Sequence, residues 1–236
     1  MLYYRCLKDS ILLLHINNTL SVGGVDEAGR GSIIGPLVVA GISFRKDSLC
    51  ELRNIGVKDS KALTPQSRVN LYNKIKDLAS STCIYKMECS VIDRNVNRKR
   101  LNRLEARMMA HVINNLRVDE VFVDSCDVNP ERYKNFILSY MPKTNMQLHS
   151  MHHADRMVRT VAAASIVAKV TRDKEMEKIR KRHSDIGSGY PSDKKTMGFI
   201  RDWVSKYKCP PEFARKSWRP LRRMLIEIEQ YEIDHF

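Results

Sequence analysis

Short apolar runs alternate along this chain with longer stretches of helical periodicity. Residues 22–28 and 37–44 are two apolar runs joined by a Gly-containing connection, which predicts two strands. A short helix is predicted over 48–55. Thr64 followed by Pro65 gives a capping hydroxyl and a proline at the first helical position, so a helix is predicted from there to about 78. Residues 83–89 read as a third strand. Leu101, Leu104, Met108, Val112 and Leu116 fall on one face of a helix over 101–116. A short apolar strand at 120–124 ends in a carboxylate, and Asn129-Pro130 opens a helix to about 140. A fifth strand is predicted at 146–149 and a long helix at 157–180. The small residues at 161–168 would let that helix lie close against a sheet. Two further helices are predicted, at 192–206 and 211–232.

Strands interleaved with helices predict an α/β fold, a mixed sheet flanked by helices with a C-terminal helical subdomain. The expected organisation is an extension over 1–21, a catalytic domain over 22–185 and a helical subdomain and tail over 186–236. The extension reads either as a short strand or as a start of translation placed upstream.

Composition adds a partner. Lys and Arg number 41 against 27 Asp and Glu, a net charge of +14, which favours a polyanion such as nucleic acid. Ribosomal association and plain solubility are the other readings of the same excess. The six cysteines, Cys6, Cys50, Cys83, Cys89, Cys126 and Cys209, show no C-x-x-C spacing, so a zinc ribbon is not supported. They read as reduced thiols, and a cytoplasmic location is expected. The apolar run at 11–14 is too short to span a bilayer, and no membrane segment is expected.

The candidate chemistry lies in the acids. Asp26 and Glu27 close an apolar run ahead of a Gly-containing turn. Burying them without a cation would be costly. Asp124 closes another apolar run, and Asp155 stands just before the long helix. An acid at a strand end is commonly a turn former, and one before a helix is commonly a cap. Acids converging from several segments would instead make a hard oxygen pocket suited to magnesium or manganese. His149, His152 and His153 cluster before Asp155 and read as partly solvated histidines or as a transition-metal site. The basic segment 94–103 reads as a solvated helix end or as part of a substrate groove.

Six segments carry a resemblance: VDEAGRGSIIGPLVVAG at 25–41, GVKDSKALTP at 56–65, VFVDS at 121–125, ADRMVRTVAAASIVAKVTRD at 154–173, GSGYPSD at 187–193 and ARKSW at 214–218. In this order they resemble ribonuclease HII, with the last two closer to its archaeal and eukaryotic branch. The resemblance implies a ribonuclease H-like fold and an endonuclease that hydrolyses the RNA strand of RNA/DNA hybrids. It also implies cutting 5′ of ribonucleotides embedded in duplex DNA by two-metal-ion catalysis, leaving 5′-phosphate and 3′-hydroxyl ends.

By the same resemblance Asp26, Glu27, Asp124 and Asp155 are the catalytic, metal-binding acids, holding Mg2+ or Mn2+. Gly29, Arg30 and Gly31 match the segment whose backbone contacts the ribose 2′-hydroxyl. Tyr190 matches the tyrosine that reads the step from ribonucleotide to deoxyribonucleotide. Ser60 and Lys61 match a substrate-contacting segment, and Lys169 and Arg172 match basic residues of the binding groove. Val158 and Arg159 depart from the Tyr-Pro that relatives often carry there.

The expected state is a monomer. Gln230, Ile233 and Phe236 resemble the short tail that docks on the sliding clamp of replication; a plain helix end is the other reading. Three competitors stand beside the enzyme reading. A catalytically silent binding module of the same fold is opposed by the presence of all four acids. Another nuclease of the fold is opposed by Tyr190 and the Gly-Arg-Gly segment. Ribonuclease HIII is opposed by the lack of room for its extra N-terminal domain.

Overall fold

Asp124 closes a strand whose parallel neighbour carries Asp26, and the fold is best followed from that pair outward. The structure is a computed structural model that describes residues 20–57 and 64–234. Five strands, β1 (Ser21–Ala28), β2 (Leu37–Arg45), β3 (Ser81–Met87), β4 (Glu120–Asp124) and β5 (Gln147–Met151), form one mixed sheet in the order β3-β2-β1-β4-β5. β1 runs parallel to β4, and β4 runs parallel to β5. The chain winds from β1 to one side, then crosses to β4 on the other. That reversal of order next to β1 is where open α/β sheets leave a crevice at their carboxyl ends.

The helices are α1 (Leu49–Asn54), α2 (Pro65–Leu78), α3 (Cys89–Asn97), α4 (Leu101–Leu116), α5 (Pro130–Ser139), α6 (Ala154–Met157), α7 (Arg159–His183), α8 (Lys194–Tyr207) and α9 (Arg219–Asp234). Their starts follow local chemistry. Thr64 Oγ1 accepts from Ser67 N at 3.2 Å, and Asn129 Oδ1 accepts from Arg132 N at 3.0 Å. No helix among the described residues is long and apolar enough to cross a membrane.

Two compact units arise. The first takes the chain through Glu27, then Val39–Tyr85 and Glu105–Val170. Its core includes Val25, Met108, Val112, Val121, Val123 and the α7 residues Val161, Ala163 and Val167, all buried. The expected close approach of α7 depends on Gly24. A Cβ there would stand 2.1 Å from the Thr160 carbonyl carbon, so any larger residue would push the helix off β1. Thr160 Oγ1 donates to Gly23 O at 3.2 Å across that contact. The second unit takes Ala28–Val38, Lys86–Leu104 and the chain from Thr171 onward, around Ile33, Ile34, Met176, Ile186, Ile200 and Leu221.

Two expected elements differ, and one short helix was not expected. The strand expected over 83–89 ends at Met87, and Cys89 starts α3, where its thiol donates to the carbonyls of Gly35 and Phe213. The long helix forms as α7, Arg159–His183, and a short helix, α6, precedes it across Val158, which is extended at φ −118° and ψ 116°. The last helix begins at Arg219, with Pro220 in its first turn. Residues 211–218 are non-helical because they run beside the 33–35 backbone, joined by an antiparallel bridge between Ile34 and Ala214.

Candidate active site

In the first unit the β1–β4 register pairs Val25 with Val123. One step further along these parallel strands sets Asp26 beside Asp124. After β5 the chain turns through His153, whose φ is +56°, into α6. Ala154 N then donates to Asp124 Oδ1 at 2.8 Å, which ties the turn carrying Asp155 to the end of β4. Asp26 and Asp155 are each 4% exposed, and Glu27 and Asp124 are half-buried. Asp26 thus neighbours Asp124 across the sheet, Asp155 follows on the turn tied to Asp124, and Glu27 follows Asp26 on β1.

The electrostatics of Asp26 reflect that crowding. Burial raises its pKa from 3.8 to about 7, and the Asp124 charge pushes the same way. A hydrogen bond with Ser165, the Glu27 amide at 2.7 Å and the Lys169 charge work against the rise. Lys169 Nζ donates to Ser165 Oγ at 2.9 Å, one helical turn apart on α7. Lys169 therefore stands where its charge acts on Asp26.

Among the described residues no three carboxylate, imidazole or thiol groups close into a single coordination group. Asp26 accepts from the Glu27 amide on its own strand, and Asp124 accepts from the Ala154 amide of the turn after β5. Their chemistry fits a hard divalent cation nonetheless. All four offer oxygen, two are removed from water, and the ionised form of Asp26 is opposed by burial and by a like charge that a cation would offset.

A buried cluster next to Glu27 was not anticipated. Glu105 is 0% exposed, and the Cys126 thiol donates to its Oε2 at 3.3 Å. Burial holds the Tyr133 phenol far above its usual range, and Cys126, Glu105 and Glu27 push it further. The available signal was an acid on the apolar face of α4, directly after Leu104. Ser165 was also missed, although it lies four residues before Lys169 in a helix.

In the second unit the turn after β1 is built around Gly29, at φ +84°. A Cβ on Gly29 would stand 2.7 Å from Arg172 Nε and 2.8 Å from Pro36 O, so only glycine fits. Arg172 is 5% exposed, donates to Ser188 O at 3.0 Å, and sets its guanidinium 4.6 Å from the Tyr190 ring centroid. It supports the tyrosine from behind rather than offering an open charge. Gly189 O accepts from Ile33 N and Ile34 N at 2.8 and 3.1 Å, which ties the Tyr190 loop to the 29–35 loop. Arg30 Nη2 donates to Asn102 Oδ1 at 2.6 Å.

Gly29, Arg30, Gly31, Arg172 and Tyr190 therefore lie within one unit, and the four acids with Lys169 within the other. Ser60, Lys61 and Phe236 lie outside the described residues, as do residues 1–19. His149 stacks on Phe122 with ring centroids 4.7 Å apart and places Nε2 3.2 Å from Glu120 Oε1. In the basic segment Arg94, Arg98, Lys99 and Arg100 are exposed at the end of α3. The five described cysteines are free thiols.

Known proteins share this chain's sequence and fold. The sequence model of the family described as Ribonuclease HII matches residues 23–220. A Ribonuclease HII of Cenarchaeum symbiosum (strain A) is 48% identical over 206 residues, covering 87% of this chain and 98% of that one. The crystal structure of the ribonuclease H2 from Pyrococcus horikoshii OT3 superposes with a TM-score of 0.84 at 37% identity, covering 89% of this chain and all of that one. The ribonuclease HII of Archaeoglobus fulgidus, solved as a PCNA:RNase HII complex, gives a TM-score of 0.78 at 36% identity, covering 85% of this chain and 96% of that one.

Proposed function

Because the chain belongs to the ribonuclease HII family, whose members hydrolyse the RNA strand of RNA/DNA hybrids, we propose that it also cuts duplex DNA 5′ of embedded ribonucleotides. The observation that carries this reading is the pairing of Asp26 with Asp124 at adjacent strand ends, with Asp155 tied to Asp124 through Ala154. Asp26, Glu27, Asp124 and Asp155 would hold two divalent cations, Mg2+ or Mn2+. When bound, such ions activate a water and offset the charge on the leaving 3′-oxygen, giving 5′-phosphate and 3′-hydroxyl ends.

The chain's own groups do the selecting. Backbone amides at Gly29, Arg30 and Gly31 approach the sugar and bind its 2′-hydroxyl, the group that separates RNA from DNA. The Tyr190 ring, held by Arg172, packs on the following sugar and leaves no room for a second hydroxyl. The Lys169 charge favours the ionised form of Asp26 against the effect of burial. Ser60 and Lys61 contact the substrate backbone, and the net charge of +14 supports binding to it.

Gln230, Ile233 and Phe236 dock on a sliding clamp in this reading. The PCNA complex of the Archaeoglobus relative supports it, and Gln230 is exposed on α9. The enzyme acts as a monomer in the cytoplasm, in keeping with its free thiols. A duplex carrying one ribonucleotide tests the reading, with magnesium and manganese compared. The expected result is a single cut on the 5′ side of the ribonucleotide. Cleavage of a continuous hybrid alone would overturn it.

A further inference from the structure

The loop over 29–35 turns its carbonyls toward one strip of chain. Arg215 Nη1 donates to Arg30 O at 2.8 Å, while its Nη2 and Nε donate to Gly35 O at 3.0 and 3.2 Å. Trp218 Nε1 donates to Gly31 O at 3.3 Å. Arg215 N donates to Ile33 O at 2.8 Å, and Gly35 N donates back to Phe213 O at 2.9 Å. Arg215 is 0% exposed, with its guanidinium 4.8 Å from the Trp218 ring centroid. Enclosing a guanidinium among carbonyls is expensive, and burial lowers its pKa to about 10. A buried cation with three donors spent on two carbonyls of one loop needs a reason.

Peptide geometry supplies one. A trans peptide is planar, so the C=O of one residue and the N–H of the next point in opposite directions. With the Arg30 carbonyl on Arg215, the Gly31 N–H must point away from the 215–218 strip. Gly31 is exposed, and nothing lies within 4 Å of a Cβ built on it. The following plane is fixed as well. Trp218 holds the Gly31 carbonyl, and Ser32 N turns back to Gly29 O at 3.3 Å.

We propose that Arg215 and Trp218 are specificity-determining positioning residues: by gripping the Arg30 and Gly31 carbonyls, they aim the Gly31 amide at the ribose 2′-hydroxyl. The inference rests on the reading that the Gly29, Arg30 and Gly31 backbone contacts that hydroxyl. It adds which amide does so and what holds it. Lysine could not replace Arg215, because a single ammonium cannot span both carbonyls with the geometry of the guanidinium fork.

Two variants test it. Trp218→Phe keeps a ring over Arg215 and removes only the indole donor. Arg215→Lys keeps the charge and loses the fork. For each, kcat/KM is measured on a duplex with one ribonucleotide and on the same duplex with a 2′-fluoro nucleotide, a much poorer hydrogen-bond acceptor. The wild type is expected to prefer the ribonucleotide, and each variant to narrow that preference about tenfold, the worth of one aimed hydrogen bond. General loosening of the fold would lower both rates together and leave the ratio intact. A wild type that treats the two substrates alike overturns the reading of the hydroxyl site itself. A wild type with the preference, and a folded Trp218→Phe with the same ratio, overturns the clamp alone, whatever Arg215→Lys does.

Discussion

Asp26 is a carboxyl whose charge the fold resists. Its folded pKa of about 7 lies above the ordinary 3.8, so the folded state binds this proton more tightly than the unfolded chain. Its contribution to stability is therefore most favourable at low pH and declines as pH rises from about 4 through about 7. In protein stripped of divalent ions, Asp26→Asn is expected to raise stability at pH 7.5 by ~1–3 kcal/mol, with the gain fading near pH 4. Thermal unfolding in a chelator checks this, and a midpoint unchanged at both pH values would contradict it. Asp124→Asn keeps an oxygen that can accept from Ala154 N, so the α6 turn stays anchored. Cleavage is expected to fall by at least about a thousandfold with the unfolding midpoint nearly unchanged, and near-normal turnover would refute the four-acid assignment. The positions of the four acids, in or at the end of a strand or ahead of a helix, were legible in the sequence because each closes an apolar run or precedes a helix. Ser165, Glu105 and Arg215 were not, because each acquires its meaning from a partner that is distant in sequence or a turn away on a helix.

At the scale of elements, hydrophobic periodicity located the strands and most helices, since one buried face dictates the repeat. It failed where tertiary contacts interrupt a continuous pattern. It missed the short α6, which carries Asp155 and is set off from the long helix by the extended Val158. Residues 211–218 have apolar and basic positions that read as helical. Their backbone instead bridges Ile34, and Asp93 accepts from Lys216 N and Ser217 N at 2.9 and 3.0 Å. Pro220, in the first turn of α9, was the better start signal than Pro211. The contact of α7 with β1 makes a sharper prediction. Gly24→Ala forces a methyl group into the Thr160 backbone, 2.1 Å away, where no side chain can swing aside. Urea unfolding is expected to show a loss of about 2–4 kcal/mol, at or above the usual cost of overpacking, and a neutral outcome would mean the helix can retreat freely.

For the whole molecule, the excess of basic residues was legible as an affinity for polyanions, and the family signature turned that affinity into a substrate. How the chain divides was not legible. The second unit takes residues 28–38 and 86–104 as well as the C-terminal chain, a grouping that follows buried contacts rather than sequence order. The tail adds a function-level prediction: deleting residues 230–236 is expected to abolish stimulation by a sliding clamp and leave clamp-free cleavage unchanged, read from rates with and without the clamp. Clamp stimulation that survives the deletion would return α9 to being a plain helix end. Central to the account is that four acids from three segments share divalent ions. Anomalous diffraction from a crystal soaked in Mn2+ tests this directly. Peaks within coordination distance of Asp26, Glu27, Asp124 and Asp155 are expected, and Mn2+ found only at His149, His152 and His153, or nowhere near these carboxylates, would contradict it.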